Sequence, residues 1–194
     1  ENVFAQLAVG SHFKKRLTKA GLRLIPGRGH GSSLYRHFSG DGQEFHRRLA
    51  KEGSVSGRWV TLDFKNASNH NAKEPITFCF GAWSPLLEEL RSPCVTLPDG
   101  RVLRLEMFSA MGNGFTFEVL TAFLMGLAYA VGYVPGVDAF AFGDDVILEN
   151  DYRVREFIAL AQFVGHEVNQ RKSFTNGPFR ESCGGDYWNG EDVR

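Results

Sequence analysis

The sequence predicts an α+β fold, an antiparallel sheet with helices packed on one face. Three observations carry that prediction. Ala139-Phe140-Ala141 and Val146-Ile147-Leu148 are short apolar runs on either side of Phe142-Gly143-Asp144-Asp145, which reads as a β-hairpin with a tight turn. Strand-like runs alternate with helix-like ones, and further hairpin signals lie between them. The chain has 194 residues, 43% of them hydrophobic, which suits one sizeable soluble domain.

The elements follow in order. Residues 2–20 read as a helix, with Val3, Phe4, Leu7, Phe13 and Leu17 broadly on one side and Gly21 as its stop. Residues 22–40 are rich in Gly, His and Ser and read as irregular. Asp41 with Glu44 forms a capping box for a helix ending near Gly53. Arg58 to Phe64 reads as a strand that ends in an acidic residue, Asp63, and the polar loop 65–70 follows. Ser84 and Pro85 suit the N-cap and first position of a helix to Leu90, which Ser92-Pro93 ends. Val95 to Leu105 reads as a hairpin around Pro98-Asp99-Gly100. A glycine-bearing loop, 108–114, leads into a helix from Phe115 to about Val131. Asp151 to Val164 is amphipathic, with Val154, Phe157, Ile158 and Ala161 on one stripe and Gly165 at its end. Val168 to Phe174 and Asp186 to Trp188 read as further strands.

Composition excludes several classes. The longest apolar stretch, Val119 to Val134, falls short of the ~20 residues that span a bilayer and contains Thr121, Gly126 and Gly132. It reads as a buried helix. Cys79, Cys94 and Cys183 show neither metal-ligand nor disulfide spacing, as expected of reduced thiols in a cytosolic protein. No signal-peptide pattern opens the sequence. A net charge of zero hides a division: residues 1–60 carry 11 Lys and Arg against four Asp and Glu, and residues 61–194 carry 11 against 18. A basic portion beside an acidic one suits contact with a phosphate backbone on one side and with cations on the other; a solvated helix face is the plainer alternative.

The acidic residues carry the chemistry. Two adjacent carboxylates at a hairpin tip, Asp144 and Asp145, repel each other and lose solvation to the strands. A hard divalent cation such as Mg²⁺ relieves both costs, although Gly and Asp also make ordinary turns. Asp63 by itself reads equally as a strand-end residue capping a loop. Gly112 and Gly114 read either as a helix lead-in or as a backbone that a ligand approaches closely. His46, Arg47 and Arg48 read as a solvated basic helix face or as one turned toward nucleic acid.

Strand with Asp63, glycine loop into helix, then Gly143-Asp144-Asp145 hairpin is the order of motifs A, B and C in template-directed polymerases. Longer strings match as well. Met111-Gly112-Asn113-Gly114-Phe115-Thr116-Phe117-Glu118 and Gly177-Pro178-Phe179-Arg180-Glu181-Ser182-Cys183-Gly184 are long and specific. Segments 50–55, 90–93 and 97–100 add to them. On these residues the chain resembles the RNA-directed RNA polymerase, the replicase catalytic subunit, of levivirus-like positive-strand RNA bacteriophages, from about Glu1 to Arg194.

That resemblance implies a polymerase palm with part of the fingers. Residues 1–57 would be a basic, partial fingers segment, and residues 58–194 the palm with motifs A to D and a following hairpin. The chain, which lacks an initiator Met, is then expected to be a piece of a larger polymerase. The implied activity is transfer of nucleotides from NTPs to an RNA 3′ end on an RNA template. Its cofactors would be two Mg²⁺ ions, with Mn²⁺ as a substitute. Asp63 and Asp144 would bridge the metals and Asp145 would assist. Ser109, Gly112, Asn113, Gly114 and Thr116 would lie against template and nascent base pair, with Arg47 and Arg48 as further nucleic-acid contacts. Asn69 stands where the family usually carries a second Asp that helps read the ribose 2′-hydroxyl; it can still donate and accept hydrogen bonds but has no charge. Lys172 corresponds to the motif D lysine that assists pyrophosphate departure, with Arg171 as its competitor. Implied partners are RNA, NTPs and host translation factors including elongation factors, with no membrane, in the cytoplasm of a bacterial host.

Two rivals are weighed. A reverse transcriptase palm usually blocks the 2′-hydroxyl with a bulky aromatic residue, whereas Asn66, Ala67, Ser68 and Asn69 are small or polar. A catalytically dead, RNA-binding palm is opposed by the intact Asp63, Asp144 and Asp145.

Overall fold

The hairpin at Gly143 organises the structure. The computed structural model describes residues 2–25 and 40–194. Strands β4 (Ala139–Phe142) and β5 (Asp145–Glu149) pair antiparallel, with Phe142 opposite Asp145, so Gly143 and Asp144 alone make the turn. Gly143 has φ +67°, a conformation a side chain would strain. Strand β1 (Trp59–Leu62) joins the other edge of β5 antiparallel, from Trp59 opposite Glu149 to Leu62 opposite Val146. The sheet order is β1-β5-β4.

Every residue of β1 is buried, as are Val146, Ile147 and Leu148 of the central strand. Alternate residues supply two different cores. Val60, Leu62, Ala139, Ala141, Val146 and Leu148 face the larger core, which also takes in helix α5 (Thr116–Ala130) and helix α6 (Arg153–Phe163). Trp59, Phe140 and Ile147 face the other way and pack with Phe45 and Leu49 of helix α2 (Gly42–Ser56). Phe140 stacks edge-on against Phe45 at 5.0 Å and Trp59 at 5.8 Å. The expectation of helices on one face is therefore corrected. A strand buried on both sides shows a continuous apolar run, which does not reveal how many layers cover it.

Helix α2 begins with the capping box read from the sequence: Asp41 accepts from the Glu44 N–H at 2.8 Å, and Glu44 accepts from the Asp41 N–H at 3.2 Å. It runs three residues past the expected end at Gly53. Besides the central sheet, α2 packs on a second sheet, β6 (Phe179–Ser182), β7 (Gly185–Trp188) and β8 (Glu191–Asp192), in the order β6-β7-β8. Arg180 of β6 is 1% exposed and ties this sheet to β1. Its Nε donates to the Trp59 carbonyl at 2.6 Å, and its Nη1 to the carbonyls of Gly177 and Phe179 at 2.8 and 2.6 Å.

The remaining elements are α1 (Val3–Lys19), α3 (Lys73–Phe80), α4 (Ser84–Leu90) and the hairpin β2 (Cys94–Thr96) with β3 (Val102–Arg104). Ser84 does not act as an N-cap. A 3₁₀ turn at Gly81–Trp83 runs straight into α4, and the Ser84 hydroxyl donates to the Thr77 carbonyl at 2.6 Å. Val168 to Phe174 is likewise not a continuous strand. Val168 bridges Phe64 and Phe174 bridges Thr61, but three more residues separate the pair on one side than on the other. The excess forms a turn closed by the Lys172 N–H on the Asn169 carbonyl at 3.0 Å. Most of segment 22–40, read as irregular, lies outside the described residues. No helix among the described residues is long and apolar enough to cross a membrane.

Two contacts in the larger core give testable consequences. The buried Thr121 hydroxyl accepts from the Gly143 N–H at 3.0 Å and donates to the Phe117 carbonyl. Thr121→Val removes the acceptor and leaves a buried N–H unpaired, so urea unfolding should show a loss of about 1–3 kcal/mol. His166 is 1% exposed between the rings of Phe64 and Phe123, with no hydrogen-bond partner on either ring nitrogen among the described residues. Burial first, and His70 second, lower its pKa from 6.5 to about 4. The unfolded chain therefore takes up a proton that the folded one refuses. This contribution is whole above the unfolded value of 6.5 and is lost as pH falls toward about 4. His166→Leu should flatten the acid limb of stability in that window, measured as urea midpoints at about pH 7 and about pH 5.

Candidate active site

The β1–β5 register brings the carboxylates together. Leu62, the last residue of β1, is opposite Val146, so Asp63 leaves the strand at the end of the sheet where Asp145 begins β5. Asp144 is exposed at the hairpin tip and Asp145 begins β5.

The Asn169–Ser173 turn holds Asp63. Its N–H donates to the Ser173 hydroxyl at 3.0 Å, its carbonyl accepts from the Asn169 N–H at 2.8 Å, and its Oδ2 accepts from the Asn169 amide at 2.7 Å. Burial pushes the Asp63 carboxyl above its ordinary value; Asn169 and Lys172 pull it down, and Asp144 pushes it up. Asp145 is held by a different turn. Ser182 Oγ stands 3.3 Å from its Oδ1, and the Cys183 N–H donates to its Oδ2 at 3.3 Å. Burial raises this carboxyl too, Cys183 lowers it, and Asp144 and then Asp63 raise it.

The carboxylates thus crowd one another electrostatically, and their hard oxygen donors suit a divalent cation. Among the described residues no three His, Cys, Asp or Glu side chains close into a ligand cluster. Mg²⁺ rarely needs such a cage, since it is commonly held by one or two carboxylates together with substrate phosphates and water. The donor chemistry therefore fits that ion.

Lys172 is exposed on the Asn169–Ser173 turn, where its ammonium lowers the pKa of Asp63 and of Glu181. Sequence reasoning did not single out Glu181. It lines a groove of about 390 Å³ with Arg171, Lys172, Asp186 and Arg194. Burial raises its pKa first and Asp145 second. No apolar alternation in Phe179–Ser182 marks it, because the residues that β6 buries are the polar Arg180 and Ser182, which leaves Glu181 on the outer face.

The glycine loop gathers elsewhere. A cavity of about 360 Å³ is lined by Gln6, Ser92, Ser109, Gly112 and Asn113 among others, and by none of the three carboxylates. Ser109 is 3% exposed, and its hydroxyl has no partner among the described residues. Gly112 faces open space. The Asn113 side chain accepts from the Phe115 N–H at 3.0 Å, and the Thr116 hydroxyl donates to the Ala110 carbonyl at 2.8 Å. At Gly114 the close backbone approach is to α1: an added Cβ would lie 2.9 Å from the Leu7 nitrogen. Gly10 meets it from the other side, with 2.5 Å from its own added Cβ to the Gly114 oxygen. The start of α5 nevertheless touches the hairpin, since Phe117 packs edge-on against Phe142 at 4.8 Å.

Two of the basic residues of α2 make contacts with the second sheet. His46 is buried, with Nδ1 3.3 Å from Ser182 Oγ, and burial lowers its pKa to about 3. Arg47 donates to the Cys183 carbonyl at 3.3 Å. His46, 3% exposed, therefore does not face nucleic acid, whereas Arg47 is only half-buried; a helix lying across two sheets has less free surface than its charge suggests. Arg48 is exposed. Asn69 is exposed in a 3₁₀ turn, Ala67–His70. The three cysteines are free thiols.

With this geometry established, comparison with known proteins identifies the lineage. The family described as RNA replicase, beta-chain matches residues 1–194. The chain is 34% identical to the RNA-directed RNA polymerase subunit beta of Escherichia virus Qbeta, over 99% of this chain and 30% of that protein. It is 32% identical to the corresponding subunit of Enterobacteria phage SP, over 99% of this chain and 31% of that protein. It is also 32% identical to the RNA-directed RNA polymerase beta chain of Escherichia phage MS2, over 100% of this chain and 33% of that protein. The chain thus spans about a third of the length of these relatives. On the full-length family match and these identities, the chain belongs to the RNA replicase beta-chain family.

Proposed function

We propose that this chain carries the nucleotide-transferring centre of an RNA-directed RNA polymerase that copies a phage RNA genome in the cytoplasm of its bacterial host. The observation that carries the reading is the β1–β5 register, which ends with Leu62 opposite Val146 and so sets Asp63 and Asp145 at the same end of the sheet beside the Asp144 turn, in a member of a replicase family. Residues 58–194 are read as the palm and residues 1–57 as part of the fingers. RNA template, nascent RNA and NTPs are the proposed partners; host translation factors rest on family resemblance alone.

The reaction is in-line attack of an RNA 3′-hydroxyl on the α-phosphate of an NTP, with pyrophosphate leaving. Asp63, Asp144 and Asp145 would hold two Mg²⁺ ions, which supply charge stabilisation at the attacking and leaving oxygens when bound. Asn169 fixes the direction of the Asp63 carboxylate, Ser173 holds the Asp63 backbone, and Ser182 and Cys183 fix the Asp145 carboxylate. Lys172 offers a cation, and a proton, to the departing pyrophosphate. Asn69, which makes no side-chain hydrogen bond among the described residues, is available to read the ribose. Ser109, Gly112 and Asn113 are proposed to meet template or nascent base pair through their cavity. Gly114 and Thr116 shape that loop from behind.

Asp144→Asn keeps the shape of the tip and removes its charge. In a polymerase containing this chain it should lower single-turnover incorporation by at least about 10²–10³-fold while RNA binding stays near wild type. Wild-type elongation in Mg²⁺ would sink the assignment. Lys172→Leu should slow the chemical step by on the order of 10²-fold with a smaller effect on nucleotide affinity. Lys172→Arg should recover part of that rate, because it restores the charge but yields its proton far less readily. Equal rates for all three proteins at saturating nucleotide would make Lys172 a surface lysine and turn attention to Arg171.

A further inference from the structure

Asp145 sits at the end of a buried hydrogen-bond chain that begins on α2. Ser182 Oγ is 3.3 Å from Asp145 Oδ1 and 3.3 Å from His46 Nδ1. His46 is 3% exposed and Ser182 1% exposed, so neither lies open to a substrate. A carboxylate can only accept, and a hydroxyl has one proton to give. Ser182 therefore donates to Asp145 and must accept from His46, which fixes the imidazole proton on Nδ1. The direction of the chain is set: His46 N–H to Ser182 O–H to Asp145 carboxylate.

The imidazole itself has little freedom. Its ring lies at 61° to that of Phe142, with centroids 6.2 Å apart, and Phe142 is the residue that enters the Gly143-Asp144 turn. The next residue of α2, Arg47, donates to the Cys183 carbonyl at 3.3 Å, while the Cys183 N–H holds the other oxygen of Asp145. Two successive residues of α2 thus grip the end of β6 and the turn after it, and Ser182 and Cys183 there hold both oxygens of one carboxylate. A buried His satisfied by a core serine would need only the first of these contacts.

We propose that His46 and Ser182 are positioning residues that orient the Asp145 carboxylate for divalent-cation binding. This rests on the reading of Asp145 as a metal ligand. Groups that orient a ligating side chain typically change metal affinity by about 10–100-fold when removed.

The test uses a polymerase that contains this chain and a readout independent of turnover. Mn²⁺ binding is titrated by loss of the free-ion electron paramagnetic resonance signal for wild type, Asp145→Asn, Ser182→Ala, His46→Leu and His46→Asn. Thermal unfolding is recorded alongside. Asp145→Asn defines which part of the binding depends on that carboxylate. Ser182→Ala and His46→Leu should weaken that part by about 10-fold. They should raise the Mn²⁺ needed for half-maximal incorporation in parallel, with a much smaller change in nucleotide KM. His46→Asn, which puts an N–H near the place of Nδ1, should recover most of the affinity whatever its unfolding temperature. Wild-type Mn²⁺ affinity in Ser182→Ala overturns the positioning role and leaves Asp145 standing as a ligand. Equal loss in His46→Asn and His46→Leu also overturns it, because the N–H is then not the agent. If Asp145→Asn binds Mn²⁺ like wild type, the metal reading and this proposal fall together.

Discussion

Four Cα pairs, from Trp59–Glu149 to Leu62–Val146, join segments more than 80 residues apart in sequence, and the rest of the structure depends on how they are aligned. Slipping the register by one residue would send Val60 and Leu62 to the face of Trp59, and Trp59 into the larger core. Both faces of this sheet are packed, by side chains of very different size, so no slipped pairing is tolerated. The same alignment puts Asp63 and Asp145 at one end of the sheet. Core packing and site geometry are thus specified by one set of contacts.

That alignment brings negative charges close together, and the surrounding chain manages the cost locally. Each half-buried carboxylate is met by neighbouring donors: Asn169 at Asp63, Ser182 and Cys183 at Asp145. The donors are mostly neutral N–H and O–H groups, which satisfy oxygens without neutralising them. Lys172 is the nearby cation whose charge lowers Asp63 and Glu181, and it stays exposed. Charge is thus left over at one end of the sheet.

Where sequence and local structure share a cause, the reading was direct. The Gly143 turn and the Asp41–Glu44 box are written within four residues each, and the helix of α5 within one apolar run. The expectation at Asp63 and Asp144-Asp145 came from acidic residues at strand ends, where they have little structural purpose, and from the order of the motifs around them. What stayed hidden depended on partners distant in sequence. Nothing near Gly114 says that Gly10 lies against it. Ser84 looks like a cap until the 3₁₀ turn before it removes the free N–H groups. Val168 to Phe174 has strand-forming ends, but Asn169 and Ser173 are drawn to Asp63 and pull the middle into a turn. His46 and Arg47 sit in a basic run that resembles solvated surface, and only the second sheet beneath α2 shows otherwise.

Arg180 holds the two sheets together without a carboxylate. Its guanidinium is spread over carbonyl oxygens of Trp59, Asn176, Gly177 and Phe179, and burial lowers its pKa. Fixed dipoles at hydrogen-bond distance are inside any counterion's reach, whereas attraction between a basic surface and a phosphate backbone is screened beyond about 10 Å at 0.1 M salt. The seam between the sheets and the proposed grip on nucleic acid therefore answer differently to ionic strength. Salt that undoes the proposed RNA contacts would leave β6 fastened to β1, so dissociation of the polynucleotide and disassembly of the fold are separable events.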